Sequence, residues 1–507
     1  MTADGLEFAG ILVACIAAAA ALVAPDRRLR DIALGVALLA APVLVLGDVW
    51  DEPRVVDLRE SPGQIAAGVV VGGAIVTALF FVFRRWPWAF AVAALAALPL
   101  RVPIEIGGEN SNLLVPLYLV IVAGYLVQLA SPIAPQGGGR PVVALRALLA
   151  ATLVLYAVQS SYSEDVSNAV EQIGFFLVPF AAMFVLLLGI EWTRELLGRV
   201  LIGITLIAVT AALIGIGQYI ARDLFLNDEL FTANQLHQYF RVNSVFYDPN
   251  IFGRYLALAL TALGAYAVWT TDRRGLGFAA IAMGICLAAL TLTYSITGFA
   301  ALLAGLGMVA LLRWSWRGAL AAAGLGLAAL AALILVGGTP TSDIQTDRSI
   351  DSGHFPLAEG GLILAGLKDP DPADPVRCGC DPGEPVFGWG SGAFGAAFYE
   401  NIEPARTAVS HSEPITVLAE QGLIGFVFYL ALLVAALIVL VSDGAWRYRG
   451  RTAVAACFVA ILVHSFGYTG FLIDPATWAI LALGVAFRAL PAPSPAPVPP
   501  PADPVAA

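Results

Sequence analysis

Charge is scarce in this sequence. Asp, Glu, Lys and Arg make up 13% of the 507 residues, and Lys368 is the single lysine. A typical soluble domain carries about 25% charged residues. Hydrophobic residues account for 59% of the chain, and the mean hydropathy is +0.83. This composition excludes a soluble enzyme, a nucleic-acid-binding module and a disordered chain.

Cysteine is also rare, with five residues in the whole chain. Cys15, Cys286 and Cys457 lie in apolar runs, where a thiol behaves as a small hydrophobic group. Cys378 and Cys380 form an isolated Cys-x-Cys pair in a polar loop. A zinc site of this kind needs a second pair, which the sequence does not contain. We therefore interpret the Cys-x-Cys pair as part of the loop.

Long apolar runs, in contrast, recur from one end of the chain to the other, as in Leu6–Ala24 and Leu423–Val441. A bilayer core about 30 Å thick needs about 20 apolar residues in a helix. The pattern predicts an all-α polytopic membrane protein with about 12–15 transmembrane helices. The predicted spans begin near residues 6, 31, 64, 87, 113, 147, 171, 200, 249, 276, 297, 318, 414, 453 and 474.

The polar breaks divide the chain into five predicted regions. These are N-terminal transmembrane helices (1–200), further helices with an outer loop at 221–248 (201–337), a long extracytoplasmic loop (338–412), C-terminal helices (413–490) and a Pro-rich tail (491–507). Short basic breaks alternate with acidic ones, and an excess of Arg and Lys marks the cytoplasmic face. We therefore expect a protein of the cytoplasmic membrane with its C-terminus inside.

A few arginines stand out because they lie on the acidic, outer face. Arg254 is about one turn inside a predicted membrane helix, where it would either face a cavity or partner or extend to the interface. Arg241 precedes that helix. Asp248 or Asn250 would cap the helix, with Pro249 at its first turn. A helix N-terminus beside arginines favours anions, and the planar guanidinium suits phosphate oxygens.

The four histidines differ in their surroundings. His237 and His354 lie in polar loops, which predicts solvated side chains, whereas His464 lies late in an apolar run and is expected to be a hydrogen-bonded interior group. His411 sits where the long loop re-enters the membrane. A neutral imidazole at the mouth of a cavity can accept a proton near neutral pH.

Several motifs together resemble those of bacterial O-antigen ligases and the related O-antigen polymerases. His411-Ser412, nine residues and then Gly422-Leu-Ile-Gly425 is similar to the family signature. Pro385-Val-Phe-Gly-Trp-Gly-Ser-Gly-Ala-Phe394 resembles its glycine-rich element. The segment from Arg241 to Tyr255 resembles its arginine segment, with Ser244 where the family has glycine. Arg348 matches the family's loop arginine in placement. Ser295-Ile-Thr-Gly298 departs from the usual Ser-Arg-Gly.

The resemblance implies a GT-C-like glycosyltransferase that moves a preassembled glycan from a polyprenyl diphosphate carrier to an acceptor hydroxyl on the outer face. The acceptor is a glycan, a lipid or a protein-linked group. The resemblance also implies inversion at the anomeric carbon, no metal ion and no cofactor. Its catalytic residues would be His411, Arg241 and Arg348. We further expect Arg254, Asn250 and Glu413 to bind substrate.

Two other functions remain open at this point. An O-antigen-type polymerase shares the motifs, because the acceptor is not encoded in them. A transporter or flippase for a lipid-linked or acidic solute would explain many helices and buried charges. Transporters often contain repeated halves around a midplane site. We see no clear similarity between halves, and the charged candidates cluster at one face, which favours chemistry at a surface.

Overall fold

The fold is described from a computed structural model. It describes residues 5–100, 102–106, 109–130, 139–224, 239–314, 357–368, 385–402, 410–442 and 448–488, together with a few single residues between these ranges.

Helices form most of the described chain. The first half contains α1 (Gly5–Val23), α2 (Arg27–Asp48), α3 (Pro53–Glu60), α4 (Pro62–Arg85), α5 (Pro87–Ala97), α6 (Val115–Ala130), α7 (Arg140–Gln159), α8 (Val166–Glu171), α9 (Val178–Leu188) and α10 (Arg194–Ala221). The second half contains α11 (Pro249–Trp269), α12 (Arg273–Leu292), α13 (Ile296–Arg313), α14 (Phe394–Asn401), α15 (Glu413–Val441), α16 (Arg449–Ser465) and α17 (Pro475–Arg488). A π-helical turn, Gln172–Leu177, joins α8 to α9. A hairpin of β1 (Val102–Ile106) and β2 (Glu109–Leu113) precedes α6.

The predicted fold class is confirmed. Within the described residues, ten helical segments are long and apolar enough to cross a membrane, and α5, α6 and α17 are shorter apolar helices. Every predicted span start falls in a helix or within two residues of one, except the start near residue 318. That start lies outside the described residues, as does the tail 491–507. The protein is therefore an all-α polytopic membrane protein.

Polar residues determine where the helices begin. The carboxylate of Asp26 accepts a hydrogen bond from the Leu29 amide at the start of α2. Asp272 accepts from the Arg274 and Gly275 amides at the start of α12. Side chains at this position satisfy amide groups that have no partner within the helix. The acids that interrupt the apolar runs therefore mark helix starts.

The core is built around α9. Almost every side chain of α9 is buried, and the helix packs against α1, α2, α6 and α17. A helix that is hydrophobic on all sides belongs in the interior of a bundle. In the second half of the chain, α11 takes a similar place between α10, α12, α13 and α16. Large apolar side chains such as Phe278 and Ile281 remain exposed on the outside of the bundle, as expected for lipid contact.

The basic breaks meet at one end of the bundle, which we call the basic end. The Nε of Arg146, in the second turn of α7, donates to the Leu22 carbonyl at the end of α1. The Arg488 Nη1 at the end of α17 donates to the Ser442 hydroxyl just after α15. The ring of Trp192 before α10 packs edge-on against Phe487 near the end of α17. Helices that alternate in direction thus place their arginines together.

Candidate functional site

Polar side chains gather at the opposite end of the bundle, around the starts of α11, α13 and α15 and the end of α16. We call this group the polar cluster. Its members are Arg241, Asn250, Arg254, Thr297, His411, Glu413, His464, Tyr468, Thr469 and Asp474.

Arg241 is held in place by three elements. Its Nε donates to the Thr293 carbonyl at 3.0 Å, and its Nη2 donates to the Asn250 Oδ1 at 3.3 Å. The Asn234 side chain pairs with its backbone amide and carbonyl. Arg241 is half-buried and forms no ion pair with a carboxylate in the part of the chain that the structure describes. Within the described residues, the oxygen atoms that accept from its guanidinium are the neutral ones of Thr293 and Asn250.

The turn after Arg241 requires a left-handed backbone at Ser244, whose φ is +54°. Gln218 of α10 fixes this turn, because its Oε1 accepts from the Ser244 amide and its Nε2 donates to the Ser244 carbonyl. The Ser244 hydroxyl donates to the Ala211 carbonyl at 2.7 Å. Glycine adopts this φ without steric cost, so the turn would also accommodate a glycine at position 244.

Asn250 links Arg241 to a fully buried histidine. The predicted capping of α11 is confirmed, because Asp248 Oδ1 accepts from the Asn250 amide and Pro249 is the first helical residue. The His464 Nε2 lies 3.2 Å from the Asn250 carbonyl and 3.3 Å from the Thr297 hydroxyl. A carbonyl oxygen only accepts, so Nε2 carries the proton. The prediction of a bonded interior histidine is confirmed.

Arg254 faces an internal partner. Its Nη2 lies 2.5 Å from Asp474 Oδ2, and the two side chains are 5% and 8% exposed. The guanidinium also lies over the Tyr468 ring, 5.8 Å from its centre. Asp474 caps α17 by accepting from the Ala476 amide. The pair therefore ties α11 to the start of α17, and the expected role of Arg254 in substrate binding stays a prediction.

His411 lies near Tyr468, and Glu413 contacts the two residues that follow Tyr468. The His411 ring is 6.2 Å from the Tyr468 ring, which is 5.7 Å from the ring of His464. Glu413 is buried at the start of α15, and its Oε2 accepts from the Thr469 hydroxyl and the Gly470 amide. A carboxylate is favoured near a helix N-terminus. Glu413 thus ties α15 to the loop before α17, and its substrate-binding role also stays a prediction.

The two glycine motifs pair with each other through their backbones, at a contact that we call the glycine junction (residues 385–392 and 419–424). The Trp389 amide donates to the Ala419 carbonyl, and the Leu423 amide donates to the Pro385 carbonyl, both at 2.9 Å. Gly388 and Gly422 have φ of +74° and +63°, and a Cβ on either one would collide with the backbone of the other segment. Gly422 also breaks the helical conformation within α15.

Buried polar side chains support the glycine junction. The Glu420 carboxylate accepts from the Gly392 and Phe394 amides. The Gln159 amide donates to the Phe387 and Gln421 carbonyls, and the Ser391 hydroxyl donates to the Tyr156 carbonyl. These contacts hold the backbones of the two glycine motifs against each other and against the end of α7. Sequence reasoning did not identify Glu420 or Gln159, because their partners are backbone groups of distant segments.

Aromatic residues lie in the segments next to Arg241 and next to its partner Thr293. The rings of Tyr239 and Tyr294 lie 5.0 Å apart, and the Arg222 guanidinium lies 4.2 Å from the centre of the Tyr219 ring. Tyr294 has a positive φ of 51°. Its burial, followed by the proximity of Tyr219, raises the pKa of the Tyr294 hydroxyl above its usual value. This hydroxyl is therefore protonated at neutral pH.

Part of the predicted site lies outside the described residues. This applies to Arg348, to Cys378 and Cys380, and to most of the predicted loop 338–412, of which residues 357–368, 385–402 and 410–412 are described. Residues 357–364 form a short helix whose Leu357 and Leu364 pack with Phe394 and Phe398. In the described residues, no group of three or more His, Cys, Asp or Glu side chains could hold a metal ion. The expected metal independence stays a prediction.

The chain matches no family model, and a search of the curated proteins gives no match. The resemblance to O-antigen ligases therefore depends on the motifs themselves.

Replacement of Ser244 tests the strained turn. We expect Ser244→Gly to change the free energy of unfolding by less than about 1 kcal/mol, because relief of about 1–2 kcal/mol of left-handed strain offsets a lost hydrogen bond of similar size. Ser244→Ile should lower stability by more, since a β-branched residue is disfavoured at this φ. Thermal unfolding of purified protein in detergent measures both. Equal stability of the two variants would contradict the assignment of strain.

Replacement of the junction glycines tests their steric role. Gly422→Ala and Gly388→Ala should each destabilise the protein by more than about 2 kcal/mol, because left-handed strain adds to a backbone collision. Gly217→Ala in α10 is the control, since a Cβ there meets no atom within 4 Å. That change should be neutral or stabilising. Denaturant or thermal unfolding distinguishes these results, and a stable Gly422→Ala protein would contradict the close approach.

The Arg254–Asp474 pair is tested by removing one or both charges. Asp474→Asn should cost about 3–5 kcal/mol, because it leaves a buried arginine without its counter-charge. The single variant Arg254→Met and the double variant Arg254→Met, Asp474→Asn complete the cycle, and the double variant should recover part of that loss. The free energies of unfolding of the single and double variants form the measurement. Additive losses would show that the two side chains do not interact.

Proposed function

We propose that this protein is a glycosyltransferase of the O-antigen ligase type. It transfers a preassembled glycan from a polyprenyl diphosphate carrier to a hydroxyl of a glycan, lipid or protein-linked acceptor. The observation that carries the proposal is the position of Arg241. This half-buried guanidinium has no carboxylate partner in the described part of the chain, lies beside the start of α11 and belongs to the same polar cluster as His411.

In this proposal Arg241 binds the donor diphosphate, together with Arg348 from the long loop. Negative charge develops on the diphosphate as the glycosidic bond breaks, and preorganised donors stabilise such charge. Asn250 orients Arg241 through its Oδ1. Tyr239 precedes Arg241 by two residues and Tyr294 follows its partner Thr293, and the outer faces of this ring pair would offer flat apolar surfaces with polar tips to the first sugar ring.

His411 acts on the acceptor. It takes the proton of the acceptor hydroxyl while the oxygen attacks the anomeric carbon from the side opposite the diphosphate. The new C–O bond forms, the bond to the diphosphate oxygen breaks, and the polyprenyl diphosphate leaves with the electron pair. Arg254 and Glu413 support binding by holding α11, α15 and the loop 466–474 around the substrates.

The two ends of the bundle fit opposite sides of the cytoplasmic membrane in this proposal. Arginines of α2, α7, α10 and α16 lie at the basic end, which would face the cytoplasm. The polar cluster then faces outward, where a carrier-linked glycan meets its acceptor. The diphosphate would sit at the interface with its prenyl chain among lipid-facing helices.

The proposal is tested with purified protein in lipid vesicles, a polyprenyl-diphosphate glycan and an acceptor. Arg241→Ala should lower the rate of glycan transfer about 10²–10³-fold, and His411→Ala about 10²–10⁴-fold, since each removes one charge-stabilising or proton-accepting group. His411→Ala should still bind the donor. Arg59→Ala is the matched control, because Arg59 lies in α3 outside the polar cluster, where its guanidinium stacks on the ring of Trp50. Transfer is measured by the appearance of glycosylated acceptor.

The other outcomes of the same assay are informative. Activity should persist in a metal chelator, because arginine carries the charge-stabilising role. Growth of the carrier-linked glycan without an added acceptor would identify a polymerase. Movement of the lipid-linked glycan across the vesicle membrane without a new glycosidic bond would identify a transporter and overturn the proposal. Normal transfer by both alanine variants would remove the assigned mechanism.

A further inference from the structure

A large cavity lies between α10, α11, α16 and α17, away from the polar cluster. Its volume is about 1280 Å³. Most of the lining is aliphatic, with Leu197, Leu201, Leu258, Ile480 and Leu483 among the contributing side chains. None of the members of the polar cluster lines it. The cavity is therefore a separate feature of the bundle.

The cavity follows α11 for most of the length of that helix. Tyr255 and Trp269 both line it, and the 14-residue step between them corresponds to about 21 Å at helical rise. This exceeds half of a hydrocarbon core about 30 Å thick. An elongated apolar space of this length suits a hydrocarbon chain lying roughly parallel to the helices.

The mouth at the basic end has a different chemistry. Trp192, Trp269 and Tyr448 line it, and such aromatic rings are enriched where a membrane meets water. Arg194 and Arg449 also line it, are exposed, and form no ion pair in the described part of the chain. Glu191 is the one carboxylate among the lining residues. The net charge at the mouth is positive.

We propose that this cavity binds one anionic phospholipid, with an acyl chain along α11 and the phosphate between Arg194 and Arg449. The charge of the mouth selects an anionic headgroup. The polyprenyl diphosphate of the proposed reaction fits less well, because Arg241 precedes the start of α11 whereas this mouth lies at its end. The 21 residues of α11 separate them by about 30 Å. The site does not depend on the proposed function.

The test uses purified full-length protein and two probes, phosphatidylglycerol and phosphatidylcholine. Native mass spectrometry counts lipids retained from mixed micelles, and a titration gives their affinities. Wild-type protein should retain one phosphatidylglycerol in preference to phosphatidylcholine. The double change Arg194→Gln, Arg449→Gln should weaken the binding of phosphatidylglycerol about 30-fold. Each basic residue near the membrane surface contributes about 1 kcal/mol, and each 1.4 kcal/mol changes the affinity about tenfold. Arg273→Gln, Arg274→Gln is the control, because it removes two arginines from the same end outside the cavity.

A second variant narrows the cavity without touching its charges. Gly198 of α10 lines the cavity, and a Cβ there meets no atom within 4 Å. Gly198→Phe should reduce retention of phosphatidylglycerol, because its ring takes part of the space that the acyl chain needs, and circular dichroism of the purified variant checks that it is folded. Gly217→Phe on the same helix, also without a neighbour within 4 Å, should retain it. Undiminished retention by folded Gly198→Phe, equal retention of the two lipids by wild-type protein, or full displacement by polyprenyl phosphate at equal concentration would overturn the proposal.

Discussion

The backbone pairing at the glycine junction determines how the chain enters the membrane after the long loop. The 29 residues of α15 would span about 44 Å as one continuous helix, well beyond a hydrocarbon core of about 30 Å. The break at Gly422 leaves residues 423–441 as a segment of about 28 Å, which matches the core. The preceding turns, residues 413–421, can then take a separate direction. They begin at Glu413, two residues after His411, so that His411 lies near Tyr468 and Glu413 accepts from the neighbouring Thr469.

Formation of the polar cluster costs folding free energy, because it buries charged groups and requires strained backbone nearby. Arg254 and Asp474 are buried together, and breaking such a pair leaves an uncompensated charge. The described non-glycine residues with positive φ are Arg222, Ser244, Tyr294 and His411, and all four lie in segments that border this end of the bundle. Strained backbone persists only where the surrounding structure imposes it, and it is often found at functional sites. Ion pair and strain thus point to the same region.

The sequence predicted the elements whose signals are local. Apolar run length located the helices, and Asp248-Pro249 located the start of α11 because capping depends on adjacent residues. The convergence of Arg241, Asn250 and His464 could not be derived, because it depends on how α11, α16 and the segment before α11 pack together. Asp474 could have been identified from the sequence, because it is a lone acidic residue among apolar residues on the same predicted face as the outer arginines. Glu420 could not have been identified in this way, because its partners are the backbone amides of Gly392 and Phe394.

α11 connects the two ends of the molecule. Its first turns carry Asn250 and Arg254, whereas Tyr255, Leu258, Ala262 and Trp269 recur at helical spacing on the face that borders the cavity. Successive residues on a helix point about 100° apart, so Arg254 and Tyr255 belong to different faces of one rigid element. A hydrocarbon chain in the cavity would add packing to the same helix that orients Arg241 through Asn250. Loss of that packing would then weaken the support of the polar cluster from a distance, without removing any residue that touches the substrate.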